Sequence, residues 1–255
     1  MIIDANTRIG KDVSRYVSKE HGPEDQISLM DSCRIDKAIV IPYSYPPGTS
    51  EGYKKSNDYA AQVAKQYPRL IPFAQLDPRD PEASRELRRA FDIGHKGVRI
   101  FSWHAGPVAD SSYVFPVVET AADLGIPVMF YSNWHDKFAH PYRIVRVARL
   151  CPKATIIMEG MGGSDPDMPW FLSDLAEMAG NPSNLILDTS CSSEMVKYLY
   201  EYLCEDFGSE NIVFGSGSPL FHPKLAIKKL ELAGITEQQK TLILGENMAR
   251  ILKID

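Results

Sequence analysis

Short apolar runs alternate along the chain with longer stretches whose apolar positions recur at helical spacing. Ala38-Ile39-Val40-Ile41 predicts a strand over Lys37 to Tyr43, and Leu70 to Leu76 a second one that stops at Asp77-Pro78. Between them, the break at Pro46-Pro47-Gly48 and the spacing from Tyr53 to Gln66 predict a helix. The same pattern predicts strands at Ile2 to Thr7, Gly97 to Phe101, Pro127 to Tyr131, Ala154 to Met158, Leu185 to Thr189 and Asn211 to Gly215. Helices are expected at Glu24 to Cys33, Asp80 to Ile93, Tyr113 to Leu124, Pro141 to Leu150, Trp170 to Met178, Ser193 to Cys204 and Lys224 to Leu232. A last helix starts near Glu237, where Thr236 and Gln239 have capping-box spacing.

These strands are too apolar for a sheet with one face in water, so they imply parallel pairing buried on both sides. With 255 residues, the chain matches the roughly 250 typical of one (β/α)8 TIM barrel. The expectation is a single barrel domain over residues 1–255. An open doubly wound sheet would carry a glycine fingerprint after its first strand, and Gly10 stands alone there.

Composition narrows the partners. Hydrophobic residues make up 44% and charged residues 24%, globular values. The net charge of -5 is spread among both signs, which suggests neither a nucleic-acid groove nor an anionic membrane surface. No apolar run approaches the roughly 18 residues that span a bilayer, and the first residues do not read as a secretory signal, so a cytoplasmic location is expected. Cys33, Cys151, Cys191 and Cys204 form no Cys-x-x-Cys pair, against zinc-ribbon and thioredoxin readings, and read as buried free thiols.

The chemistry gathers at strand ends. Asp4, Asn6 and Arg8 alternate along the first strand, so all three are expected on one side, rising toward the barrel mouth. Arg8 and Arg99 end different strands; each offers a planar fork that either grips an organic acid or pairs with Asp4, Glu159 or Asp188. Glu159 and Asp188 are carboxylates at buried strand ends, where each must pair with a cation, hold a proton or face a helix terminus. Tyr43, Tyr45, Phe101, Trp103, Tyr131 and Trp134 follow or end strands and suit the walls of a small-molecule cleft. His104, His135, His140 and His222 sit in loops after strands, as proton-transfer groups or relocated metal ligands. Cys191 reads as a nucleophile or as part of a helix start.

Several blocks, in order, resemble the amidohydrolase-related barrel family of decarboxylases and lactonases. They include Ile3-Asp4 through Gly10, Phe73-Ala74-Gln75-Leu76-Asp77-Pro78, Gly97-Val98-Arg99, Met161-Gly162-Gly163, Leu187-Asp188-Thr189-Ser190, Phe214-Gly215-Ser216 and Leu244-Gly245-Glu246-Asn247. The resemblance implies a divalent metal held by histidines at the positions of Asn6, Arg8, Tyr131 and Gly160 and by an aspartate at Gly217; every one is changed. An amide, a phenol and two glycines replace the donors that zinc-like ions want. A guanidinium about 4 Å from a divalent ion costs on the order of 8 kcal/mol at an effective dielectric of 20.

The resulting expectation is an enzyme acting on a small carboxylic acid or lactone, by hydrolysis, decarboxylation or ring opening, without metal or other cofactor. Its catalytic candidates are Arg8, Tyr131, Glu159 and His135. Its substrate-binding candidates are Asn6, Arg99, Trp103, His104, Trp134, Asp188 and His222. Two alternatives stay open: a catalytically inactive barrel that binds a small ligand, and a metal-dependent hydrolase with relocated ligands. The expected partner is a small anionic molecule, with a homo-oligomer left open.

Overall fold

The computed structural model describes residues 1–11, 20–43, 49–102, 106–162, 174–177, 180, 182–190 and 198–254. Trp103, His104, Cys191 and the Pro46-Pro47-Gly48 break lie outside the described residues, as does most of the helix expected from Trp170 to Met178.

Strand β1 (Ile3–Lys11) pairs in parallel with β3 (Lys37–Pro42), and the parallel series continues through β4 (Leu70–Gln75), β5 (Gly97–Ile100) and β6 (Val128–Tyr131). It runs on through β7 (Ile156–Glu159) and β8 (Leu185–Asp188) to β9 (Ile212–Val213). Closure comes from the segment after β9. Its Phe214 carbonyl accepts from Ala5 N–H at 2.8 Å, Gly217 N–H donates to the Asn6 carbonyl at 2.9 Å, and Arg8 N–H donates to the Ser218 carbonyl at 2.8 Å. With helices on the outside, this is a (β/α)8 barrel. One element was not visible in the sequence: β2 (Glu20–His21) pairs antiparallel with the end of β1.

Each strand presents alternate residues to the two sides, and the inward set forms its own apolar cluster. Ile39, Ile71, Met129, Ile157, Ile186 and Val213 fill the lower interior, and Met248 and Leu252 close it from below. The outward set, such as Val40, Ala74, Val98 and Phe130, packs under the helices. Gly97 must lack a side chain here, because a Cβ would lie 2.4 Å from the Phe73 ring. The floor helix Asn247–Leu252 continues from Glu237–Thr241, whose capping box forms as expected: Thr236 Oγ1 accepts from Gln239 N–H at 3.2 Å and Gln239 Oε1 accepts from Thr236 N–H at 2.9 Å.

Strand β1 departs from simple alternation. Asp4 pairs with Ala38 but Thr7 pairs with Val40, so β1 spends one residue more than β3 over the same span. This bulge switches side-chain parity within the strand. Ile3 and Ala5 belong to the inner apolar cluster, and above the bulge Arg8 lies level with inward-facing Ile41. Asp4 is level with Ala38, which belongs to the outer layer. The expectation that Asp4, Asn6 and Arg8 share one side is therefore corrected: Asn6 and Arg8 do, and Asp4 does not.

Candidate active site

Above the apolar floor, inward positions at the strand ends are polar. Asn6 and Arg8 of β1, Arg99 of β5, Tyr131 of β6, Glu159 of β7 and Asp188 of β8 converge at the C-terminal end of the barrel, where chemistry on this architecture is done. Glu159 is their hub. Its Oε1 accepts from Arg8 Nη2 at 2.5 Å and from Arg99 Nη2 at 3.1 Å, and its Oε2 accepts from Arg99 Nε at 2.7 Å. Arg8 also donates from Nη1 to Asn6 Oδ1 at 2.5 Å. Asn6 Nδ2 donates onward to Asp188 Oδ2 at 2.7 Å and to Ser190 Oγ at 2.8 Å. Ser190 in turn donates to Asp188 from Oγ at 2.6 Å and from N–H at 2.9 Å. One hydrogen-bonded chain thus crosses the interior from Asp188 to Arg99.

The electrostatics follow from burial and pairing. Burial alone would raise the Glu159 carboxyl, but Arg99 and Arg8 overcome it and hold it down at about 2. Burial pulls Arg99 below the usual guanidinium value, with the charge of Arg8 acting in the same direction. Asp188 is pushed up to about 6 by burial, against the hydrogen bonds of Ser190 and Asn6. Asp4 rises to about 7 for the same reason; Ser216 N–H donates to its Oδ1 at 2.9 Å, while its buried Oδ2 has no hydrogen-bond partner among the described residues. Gly215 makes room for Asp188, since a Cβ there would stand 2.0 Å from Asp188 Oδ1.

An aromatic edge borders the cluster. Arg99 lies over the Phe101 ring at 4.5 Å, and Phe101 meets Tyr131 edge-on at 5.0 Å. Tyr131 is half-buried, and its hydroxyl accepts from Asn133 Nδ2 at 3.4 Å.

Other expected site residues are placed elsewhere. Trp134 is buried in the outer core, its indole N–H donating to the Met161 carbonyl at 3.2 Å, which makes it packing rather than pocket wall. His222 is exposed and caps the helix Pro223–Leu232, with Nδ1 accepting from Lys224 N–H at 3.3 Å. His140 caps Pro141–Leu150 in the same way. His135 is exposed in the turn after β6, its backbone N–H donating to Asn133 Oδ1 at 2.8 Å. Ser190 belongs to the cluster although it was not among the expected site residues; the signal available was its position two residues after a strand-end aspartate, where a hydroxyl bonds back.

The metal expected from the resemblance does not fit these residues. Arg8 brings a guanidinium to one ligand position and ties up Asn6, which holds another. Gly160 and Gly217, at two further positions, have φ of 66° and 73°, a conformation that disfavours a ligating side chain. Among the described residues no group of three His, Cys, Asp or Glu side chains could hold an ion, so the relocated-ligand alternative finds no centre there.

The family model described as Amidohydrolase matches residues 17–254. The chain belongs to this amidohydrolase family. A search of curated protein sequences finds no match. Solved structures of amidohydrolase-like proteins share the fold along nearly the whole chain. The 5-carboxyvanillate decarboxylase of Sphingomonas paucimobilis is 20% identical, with a TM-score of 0.77 and coverage of 100% of this chain and 99% of that one. A dihydroxybenzoic acid decarboxylase of Polaromonas, solved with bound manganese and the inhibitor 2-nitroresorcinol, is 17% identical with a TM-score of 0.79, covering 99% and 96%. A probable 2-pyrone-4,6-dicarboxylic acid hydrolase of Acinetobacter baumannii, with citric acid bound, is 17% identical with a TM-score of 0.73, covering 99% of each chain. No helix among the described residues is long and apolar enough to cross a membrane.

Proposed function

We propose that this amidohydrolase-fold protein is an enzyme of a small carboxylic acid or lactone, working by hydrolysis, decarboxylation or ring opening without the metal of its manganese-bearing relative. The observation that carries the reading is the pair of guanidiniums, Arg8 and Arg99, sharing the single carboxylate of Glu159 at the barrel mouth. Both guanidiniums stand at the barrel mouth, where their planar forks suit an incoming carboxylate or a developing oxyanion. Family membership and the small acids named for the similar structures support the substrate class.

In this reading each residue has a distinct task. Arg8 and Arg99 meet the acid; Glu159, kept as an anion, is a positioning residue that holds both guanidiniums in place. Tyr131 supplies a hydroxyl at the half-open edge as hydrogen-bond donor or acid. Asp188, with its carboxyl raised to about 6, exchanges its proton closer to neutral pH than an ordinary carboxyl and is joined to Arg8 through Asn6.

Turnover of a panel of small lactones and aromatic acids in the presence of a chelator tests the proposal, comparing wild type with Arg8→Ala and Glu159→Ala. Chelator-resistant turnover lost in both variants is the expected result; turnover that requires added manganese overturns it. A second reading, a ligand-binding barrel without turnover, draws on the full engagement of Glu159 by its two arginines. Tight binding with no product across the panel would select it.

A further inference from the structure

Phe101 follows β5 two residues above Arg99 on the same side of the chain, and among the described residues it joins neither of the two apolar clusters. Ile100 pairs with Phe130, which sets Phe101 level with Tyr131 on the neighbouring strand. Its ring touches both polar neighbours. Arg99 Cζ lies over it at 4.5 Å, and the Tyr131 ring meets it edge-on, with centroids 5.0 Å apart and planes at 63°.

Arg99 is thereby held in two ways. Glu159 accepts from Nε and Nη2, a side-on pairing that occupies one edge of the guanidinium. Two parallel hydrogen bonds along one edge fix the group in its own plane but still let it rock about that edge. The ring against its face opposes this rocking. Nη1 is the nitrogen of the three that has no partner among the described residues, and the side chain keeps 6% of its surface exposed.

We infer that Phe101 is a positioning residue, which holds the Arg99 guanidinium so that an incoming carboxylate meets its Nη1 end and keeps the Tyr131 ring beside it. This rests on the proposed function, in which Arg99 grips the acid. Phe101 brings no polar atom of its own, so its influence passes through the plane and the electron-rich face of its ring. An anchor fixed before the ligand arrives spares binding the cost of ordering it. Affinity for a carboxylate therefore depends on the electron density of the ring as well as on its size.

Calorimetric titration with acetate, propanoate and butanoate, which offer no ring of their own to Phe101, decides the matter. The proteins compared are wild type, Phe101→Leu, Phe101→Tyr, Arg99→Ala and wild type carrying mono-, di- or trifluorinated phenylalanine at position 101, since fluorine drains the ring face with little change of shape. Phe101→Leu should bind about fivefold or more weakly, Phe101→Tyr should stay within about twofold of wild type, and affinity should fall stepwise with each fluorine. Affinity unchanged in Phe101→Leu, or a flat fluorinated series, while Arg99→Ala has lost binding, would overturn the positioning role and leave the Arg99 reading intact. No binding of any acid by wild type, or full binding by Arg99→Ala, would overturn both.

Discussion

Arg8 and Glu159, 151 positions apart in the sequence, meet at 2.5 Å inside the barrel, and the carboxylate they share with Arg99 is 4% exposed. A pair so deeply placed is costly to break from one side. Replacing Glu159 with Gln leaves two guanidiniums buried together and should destabilise by about 3–5 kcal/mol. For a chain of this size that corresponds to roughly 6–20 °C in Tm. Substituting Arg8, Glu159 and Arg99 together by Met, Leu and Met should recover most of the loss, as chemical denaturation will show.

Removal of Arg8 alone probes chemistry more than stability. If its guanidinium takes the place of a cation at the reacting group, Arg8→Ala should lower kcat/KM by about a hundredfold or more. Free guanidinium should restore part of the rate. Manganese added to wild type should leave Tm unchanged, because the donor positions are an amide, a guanidinium, a phenol and two glycines.

The raised carboxyls give stability a definite dependence on pH. Asp4 and Asp188 hold protons more tightly when folded than when unfolded, where 3.8 is the ordinary value, so their contribution is complete below that pH and is lost as pH rises through about 6 and about 7. Glu159 acts in the opposite sense: its contribution is present above 4.5 and lost as pH falls through about 2. Asp4→Asn, which keeps an acceptor for Ser216 N–H, should therefore gain stability over wild type at about pH 8 and flatten the slope between about pH 4 and 7. Urea denaturation across that range measures it.

Gly215 and Asp188 form a tight contact that can be tested sterically. A methyl at Gly215 would stand 2.0 Å from Asp188 Oδ1 and push the carboxylate off Asn6. Gly215→Ala should cost about 1–3 kcal/mol and weaken acid binding, whereas Ala at the remote Gly94 position affects only stability. Paired stability and binding measurements separate the two effects.

The histidines provide a contrast. His140 and His222 cap helices, so alanine at either should cost about 0.5–2 kcal/mol with acid affinity preserved. A loss of binding in His222→Ala without a loss of stability would return that residue to the site.

Much of the fold was legible because inward and outward apolar sets gave each strand its continuous run, as in Ala38-Ile39-Val40-Ile41. Arg8, Arg99, Glu159 and Asp188 were legible as strand-end charges in apolar surroundings. That the arginines pair with a strand-end carboxylate was one of the two readings; that Glu159 takes both of them was not legible, since it depends on contacts between strands far apart in sequence. Trp134 misled because aromatic character alone does not say which side of a strand end the chain will turn toward. The histidines misled because an imidazole before proline serves a helix start as readily as it serves chemistry. Asp4 misled for a further reason, the bulge in β1, which local alternation does not reveal.

That one added residue in β1 divides the strand into a lower half that serves the greasy plug and an upper half that serves the polar mouth. The two halves can consequently drift under different demands. Were β1 to keep regular register from the Asp4–Ala38 pair with no residue lost, Asn6 would fall level with Val40 and Arg8 with Pro42, and both would turn toward the helices, taking one of the two guanidiniums from the mouth while every neighbouring strand kept its place.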